Sequence, residues 1–188
     1  MIFSLISRLV NGVKEGVKAS LKGVSDVGTA IVGVVRDITV TTLEETGEFL
    51  TKGVEATASI VKGAISGVAE VGASVVGSIR GIVMGTVRGF MEAGGEREPA
   101  VRGAVAQAIN SAKELGLDVG EVAVEAVKGS VEAVRAIGGD AVEATKEAVS
   151  AAIEAARDIG EEAVVGVKDA LVRSIEGAKD IIEAAKEE

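Results

Sequence analysis

LDVGEVAVEAVKGSVEAVRAIG (117–138), GDAVEATKEAVSAAIEAARDIG (139–160) and EEAVVGVKDALVRSIEGAKDII (161–182) are consecutive 22-residue stretches that align without a gap. Each holds two copies of an eleven-residue beat that runs the length of the chain. Stepping by eleven from Ile2 meets Val13, Val24, Val35, Thr46, Thr57, Val68, Ile79, Phe90, Val101, Ala112, Ala123, Val134, Thr145, Ala156, Val167 and Ala178. Every member is apolar or threonine. Eleven residues make three helical turns at roughly 3.67 residues per turn, so the column keeps to one nearly straight face and predicts a slight right-handed supercoil where such faces meet.

Written as a hendecad a to k with position a at Ile6, this column is h, and positions d and e complete an inward a/d/e/h stripe. Position e reads Val54, Ile65, Val76 and Val87 in the first half; position d is smaller, as in Gly53, Ala64 and Thr86. From Val83 to Gly160 position a alternates valine with glycine. Glycine inside a helix costs roughly 1 kcal/mol against alanine, so its recurrence needs a cause. We read it as close backbone approach between helices. The alternative is a set of helix breaks, with Asp118 and Glu121, or Asp140 and Glu143, forming N-terminal caps.

The outward columns are charged in order. In the second half Arg102, Lys113, Arg135, Lys146, Arg157, Lys168 and Lys179 stand beside Glu114, Glu125, Glu147, Asp158, Asp169 and Asp180. Glu132, Glu143, Glu154 and Glu176 each precede a basic residue by three, a spacing that supports a solvated helix face. Residues 1–95 carry nine basic and nine acidic side chains, and residues 96–188 carry eleven and twenty. We therefore divide the chain into a neutral Gly/Val-rich segment (1–93), a kink or turn (94–99) and an acidic Ala/Glu-rich segment (100–188). The only proline, Pro99, follows Gly94-Gly95. Because the repeat passes this point in register, we read a kink in one long rod, against a hairpin of two arms. A second soft point is 38–42 (ITVTT), which ends in a Thr42/Glu45 capping pattern.

The fold expected is all-α: one very long helix with a hendecad core, in a right-handed or nearly straight homo-oligomeric coiled coil of three or more chains. Its self-association core is Val61, Ile65, Val68, Gly72, Ile79, Val83, Val127, Val131, Val149, Ile153, Leu171 and Ile175. Gly77, Gly81, Gly85 and Gly89, spaced by four among apolar neighbours, are read as close-packing glycines that also suit contact inside a membrane.

The column pattern resembles that of hendecad-repeat coiled-coil proteins, and the resemblance implies a self-associating structural element. Val13-Lys14-Glu15-Gly16-Val17 looks like the synuclein repeat, and the 22-residue units are similar to those of exchangeable apolipoproteins; both imply amphipathic helices on a lipid surface. The lysines that flank the lipid-facing stripe in those families are sparse here.

The chemistry available is narrow. With no Cys and no His, thiol chemistry, disulfides and the usual near-neutral acid–base group are excluded. No phosphate loop of the GxxxxGK[ST] type occurs, and nothing basic accumulates to neutralise nucleic-acid phosphates. We assign no catalytic, cofactor or metal residue and read the chain as a non-enzyme. The longest uncharged run is 103–112, short of the roughly 18–20 residues of a membrane span. MIFSLISRLV is broken by Arg8 and is not followed by a signal-cleavage pattern, which favours a cytoplasmic or membrane-associated protein over a secreted one. The function expected is a self-assembling structural scaffold, filament or stalk, with its first half touching a membrane. The alternatives are a lipid-surface protein and an antiparallel helical hairpin adaptor.

Overall fold

The turn after Phe90 shows how the chain uses its glycines. Gly94 lies at φ +100°, in the left-handed region that side chains disfavour. The Gly95 N–H donates to the Phe90 carbonyl (2.9 Å) and the Gly94 N–H to the Met91 carbonyl (3.0 Å). This double closure ends a helix at a glycine. It recurs at Gly72, Gly116 and Gly138, whose φ values are +80°, +70° and +78°. At Gly116, for example, Leu117 donates to Ala112 (2.8 Å) and Gly116 to Lys113 (3.2 Å).

Two residues beyond these glycines the next helix starts, at Ser74, Glu96, Asp118 and Asp140. The Ser74 hydroxyl accepts from the Gly77 N–H, the Asp118 carboxylate from Glu121, and the Asp140 carboxylate from Val142 and Glu143. Each such cap contributes about 1 kcal/mol. Pro99 falls in the first turn of the helix after Glu96, where an N–H has no helical partner to lose.

The computed structural model describes residues 2–45 and 52–187. Thr46 and Leu50, members of columns h and a, lie outside the described residues, and so does the Ile2 side chain. The described helices are α1 (Ile2–Leu21), α2 (Val27–Glu45), α3 (Gly53–Glu70), α4 (Val75–Glu92), α5 (Arg97–Leu115), α6 (Val119–Ala136), α7 (Ala141–Ile159), α8 (Glu161–Ser174) and α9 (Ala178–Ala185). Each packs on the helices one and two places away, and none packs substantially on one further off.

Successive helices run antiparallel. Alternate helices lie side by side and parallel: Gly63 and Gly67 of α3 sit against Val10 and then Lys14 of α1, and Gly81, Gly85 and Gly89 of α4 climb along α2 from Ile31 to Thr39. The result is a two-layer stack, with α1, α3, α5, α7 and α9 in one layer and α2, α4, α6 and α8 in the other.

This overturns the expectation of one very long coiled-coil helix. Register does not separate a rod from a stack. An 18-residue helix with a four-residue turn (α4) and a 19-residue helix with a three-residue turn (α5) both occupy 22 residues, or two hendecads. The chain can therefore reverse in every unit without losing the eleven-residue phase. Column a alternates because Val61, Val83, Val105, Val127 and Val149 are buried in mid-helix, while Gly72, Gly94, Gly116 and Gly138 make turns. Those turn glycines are the breaks that we set second to close approach.

Residues 94–99 likewise form a full reversal and not a kink. Arg97 and Glu98, which would have put charge into a coiled-coil seam, occupy a helix's first turn. At 38–42 the chain is uninterrupted helix, and the Thr42 hydroxyl donates to the Ile38 carbonyl (2.7 Å).

Column h is buried at Val13, Val35, Thr57, Val68, Ile79, Phe90, Val101, Ala112, Ala123, Val134, Ala156 and Val167. A second buried face was missed. Position g reads Ala56, Gly67, Ser78, Gly89, Ala100, Ser111, Val122, Ala133, Ala144 and Ala155, and every one of these is buried. These small side chains let parallel neighbours within a layer approach.

Candidate interaction surface

The ion pairs show what holds the layers. Those that join two helices link neighbours within a layer, among the described residues. Lys18 reaches Glu70 (2.6 Å), Arg36 reaches Glu92 (2.6 Å), Arg80 reaches Glu125 (2.9 Å), and Arg97 reaches Glu147 (2.9 Å). Arg102 meets Glu154 (3.0 Å) and Arg80 also meets Glu132 (3.5 Å). Two of the acids expected to pair within their own helix thus reach across to the next one. Glu143 does pair locally with Lys146 (3.1 Å).

Hydrogen bonds from Arg36 and Arg88 hold the Glu92 carboxyl below the usual carboxylate range. Those from Lys18 and Lys14 do the same for Glu70. Their partners Arg36 and Lys18 are correspondingly harder to deprotonate, chiefly through the same hydrogen bonds. These carboxylates and cations serve as lateral ties between helices.

Val61, Ile65, Val68, Ile79, Val83, Val127, Val149, Ile153 and Leu171, assigned to self-association, are buried within this one chain. Val131 and Ile175 are packed against the same core, and Gly72 makes a turn. Gly81, Gly85 and Gly89 face α2: a Cβ at Gly85 would stand 2.6 Å from the Val32 carbonyl oxygen, and one at Gly89 2.9 Å from that of Arg36. At Gly77 a Cβ would meet only Ser74, its own helix cap. The stripe read as fit for membrane contact is mostly spent on contact inside the chain. Among the described residues no helix is long and apolar enough to cross a membrane.

Two clefts open along one edge of the stack, between successive turns. One of about 810 Å³ is lined by Lys18, Lys22, Val24, Val27 and Val71 with Glu15. The other, about 700 Å³, is lined by Asp118, Val119, Ile159, Glu161 and Glu162. The first is basic and the second acidic, which follows the charge drift along the chain. Among the described residues no three carboxylates converge as a metal site.

The faces that sequence reasoning missed are the two ends of the stack. At one end α1 turns Val10, Lys14 and Val17 toward α3 and leaves Leu5, Arg8, Gly12 and Ala19 exposed. At the other, Val142 of α7 and Val165 of α8 are 66% and 60% exposed, and Val172 is 44% exposed. Val165 and Val172, apolar residues at outward positions f and b, are the signal that was available, whereas Val142 stands at inward position e and gave none. No protein-family model matches the chain, and no curated protein is significantly similar to it.

Proposed function

We propose that this chain is a non-catalytic structural scaffold, a stack of helical units that presents a long repetitive surface to other proteins or to copies of itself. One observation carries the reading: each described helix packs substantially on its first and second described neighbours alone. Such a chain is quasi-one-dimensional, and its stability is a sum of units and nearest-neighbour contacts. Architectures of this kind gain surface in proportion to length, which suits the holding of extended partners. The side chains with shifted acidity support the same role, since each is committed to tying one helix to the next.

Deletion of residues 95–138 removes two units from turn glycine to turn glycine and tests this directly. We expect a helical, cooperatively melting chain, shortened in small-angle scattering, and no stabilisation of the full chain by a library of metabolites. A saturable rise in melting temperature with one small molecule would overturn the reading in favour of a ligand site or an enzyme.

A further inference from the structure

The structure points to head-to-tail assembly, and we propose that helix α1 of a second copy docks on α8 in the slot that a tenth helix would take. This rests on the scaffold reading and names its partner. Helices alternate between the layers, and α9 already occupies the end of the first layer, packed on α7 and α8. The next place belongs to the layer of α8, beyond which no parallel neighbour lies among the described residues.

The face that α8 leaves open is apolar where a neighbour would sit. Val165 stands five residues after the start of its helix at Gly160, as Ile31 stands five after Asp26. Ile31 is fully buried against Gly81 of α4, whereas Val165 is 60% exposed. Val172 lies two turns further along the same side. On the open side of α1, Gly12 and Ala19 have this same seven-residue spacing, and a Cβ at Gly12 would meet nothing within 4 Å. Within the stack, by contrast, Gly85 and Gly89 are covered by the preceding parallel helix.

Charge selects this partner and its direction. Residues 1–25 carry four basic side chains and one acidic, while residues 161–188 carry four basic and eight acidic. With α1 of the second copy parallel to α8, and Gly12 over Val165 and Ala19 over Val172, Arg8 falls opposite Glu161. In the same register Lys22 falls opposite Ile175, one position short of Glu176. An antiparallel docking would bring Lys22 toward Glu161 but would carry the chain against the parallel order of the layer. Because the two faces differ, the contact is heterologous and continues from copy to copy.

The test uses the full chain and light scattering across a concentration series, with circular dichroism to verify the fold. We expect the average mass of the wild type to rise with concentration and to fall when salt is raised. Val165→Glu combined with Val172→Glu blocks the tail, and Gly12→Trp blocks the head. Each variant alone should remain monomeric and fully helical, and an equimolar mixture of the two should stop at one-to-one dimers through their intact faces. Glu161→Arg should weaken assembly at low salt, and Arg8→Glu in the mixed partner should restore it. A wild type that is monomeric up to its solubility limit overturns the proposal, as does assembly unchanged by both blocks. A monomer that binds anionic phospholipid vesicles also overturns it, in favour of a lipid surface. A monomer that still holds another protein overturns the end-to-end contact and leaves the scaffold standing.

Discussion

The contact between α2 and α4 and the contact between α5 and α7 occupy the same place in the stack and are made of different material. Across the first, Gly81, Gly85 and Gly89 bring backbone against backbone. Across the second, Ala151 and Ala155 fill the corresponding positions, and Arg97 to Glu147 with Arg102 to Glu154 bind the margins. The glycine contact sacrifices helix propensity, about 1 kcal/mol per residue, for close packing. The alanine contact keeps propensity, and charge borders both contacts, since Arg36 to Glu92 joins α2 to α4. One geometry is therefore reached by two kinds of packing, and Gly103 and Gly129 carry the glycine kind into the acidic half.

The largest test of this contrast is Gly85→Val. Its Cβ would meet the Val32 carbonyl at 2.6 Å and the Arg36 nitrogen at 3.0 Å, and backbone cannot move aside as a flexible side chain would. We expect a loss of about 3 kcal/mol in denaturant unfolding. A neutral outcome would break the distinction between the two contacts. The matched control is Gly12→Ala, on a glycine in open space, where we expect a gain of about 1 kcal/mol from helix propensity.

Next in size is Gly116→Ala at φ +70°. A side chain there costs about 1–2 kcal/mol, measured as a lower denaturant midpoint at unchanged slope. If residue 116 instead lay in continuous helix, the same change would stabilise the protein, so the sign alone separates stack from rod.

The charged contact is sharpened by Arg97→Ala. Arg97 and Glu147 are mostly covered, at 30% and 15% side-chain exposure, and we expect a loss of about 1 kcal/mol that shrinks in high salt. Glu92, at the margin of the α2 and α4 contact, provides a pH arm. Its carboxyl is held below its usual value by Arg36 and Arg88, so its contribution is present above the unfolded value of about 4.3. It is lost as pH falls through the lower folded value. Glu92→Gln should flatten the stability profile below about pH 4.3 and leave its shape at neutral pH unchanged.

The smallest effect is expected at Ser130. It is fully buried in α6 and its hydroxyl has no hydrogen-bond partner among the described residues. Ser130→Ala should raise stability by up to about 1 kcal/mol, because it removes an unsatisfied polar group. A measurable loss would show that the hydroxyl is satisfied in solution.

The helical class, the 22-residue unit and the buried track from Thr57 to Val134 were legible in the residues alone, because a period near 3.6 with apolar residues in phase admits no other regular structure. The sequence also held the turn signals, Gly116 followed by Asp118 and Gly138 followed by Asp140. Their meaning stayed ambiguous, since a reversal that occupies two whole hendecads leaves the pattern as unbroken as a rod would. Whether Val61 and Val149 meet another chain or their own was likewise beyond periodicity, which describes a face and not the thing that covers it. Tertiary structure decided both questions. Only once the chain is folded does the small column from Ala56 to Ala155 find parallel neighbours, and burying this second face is what makes repeated reversal more favourable than one exposed helix.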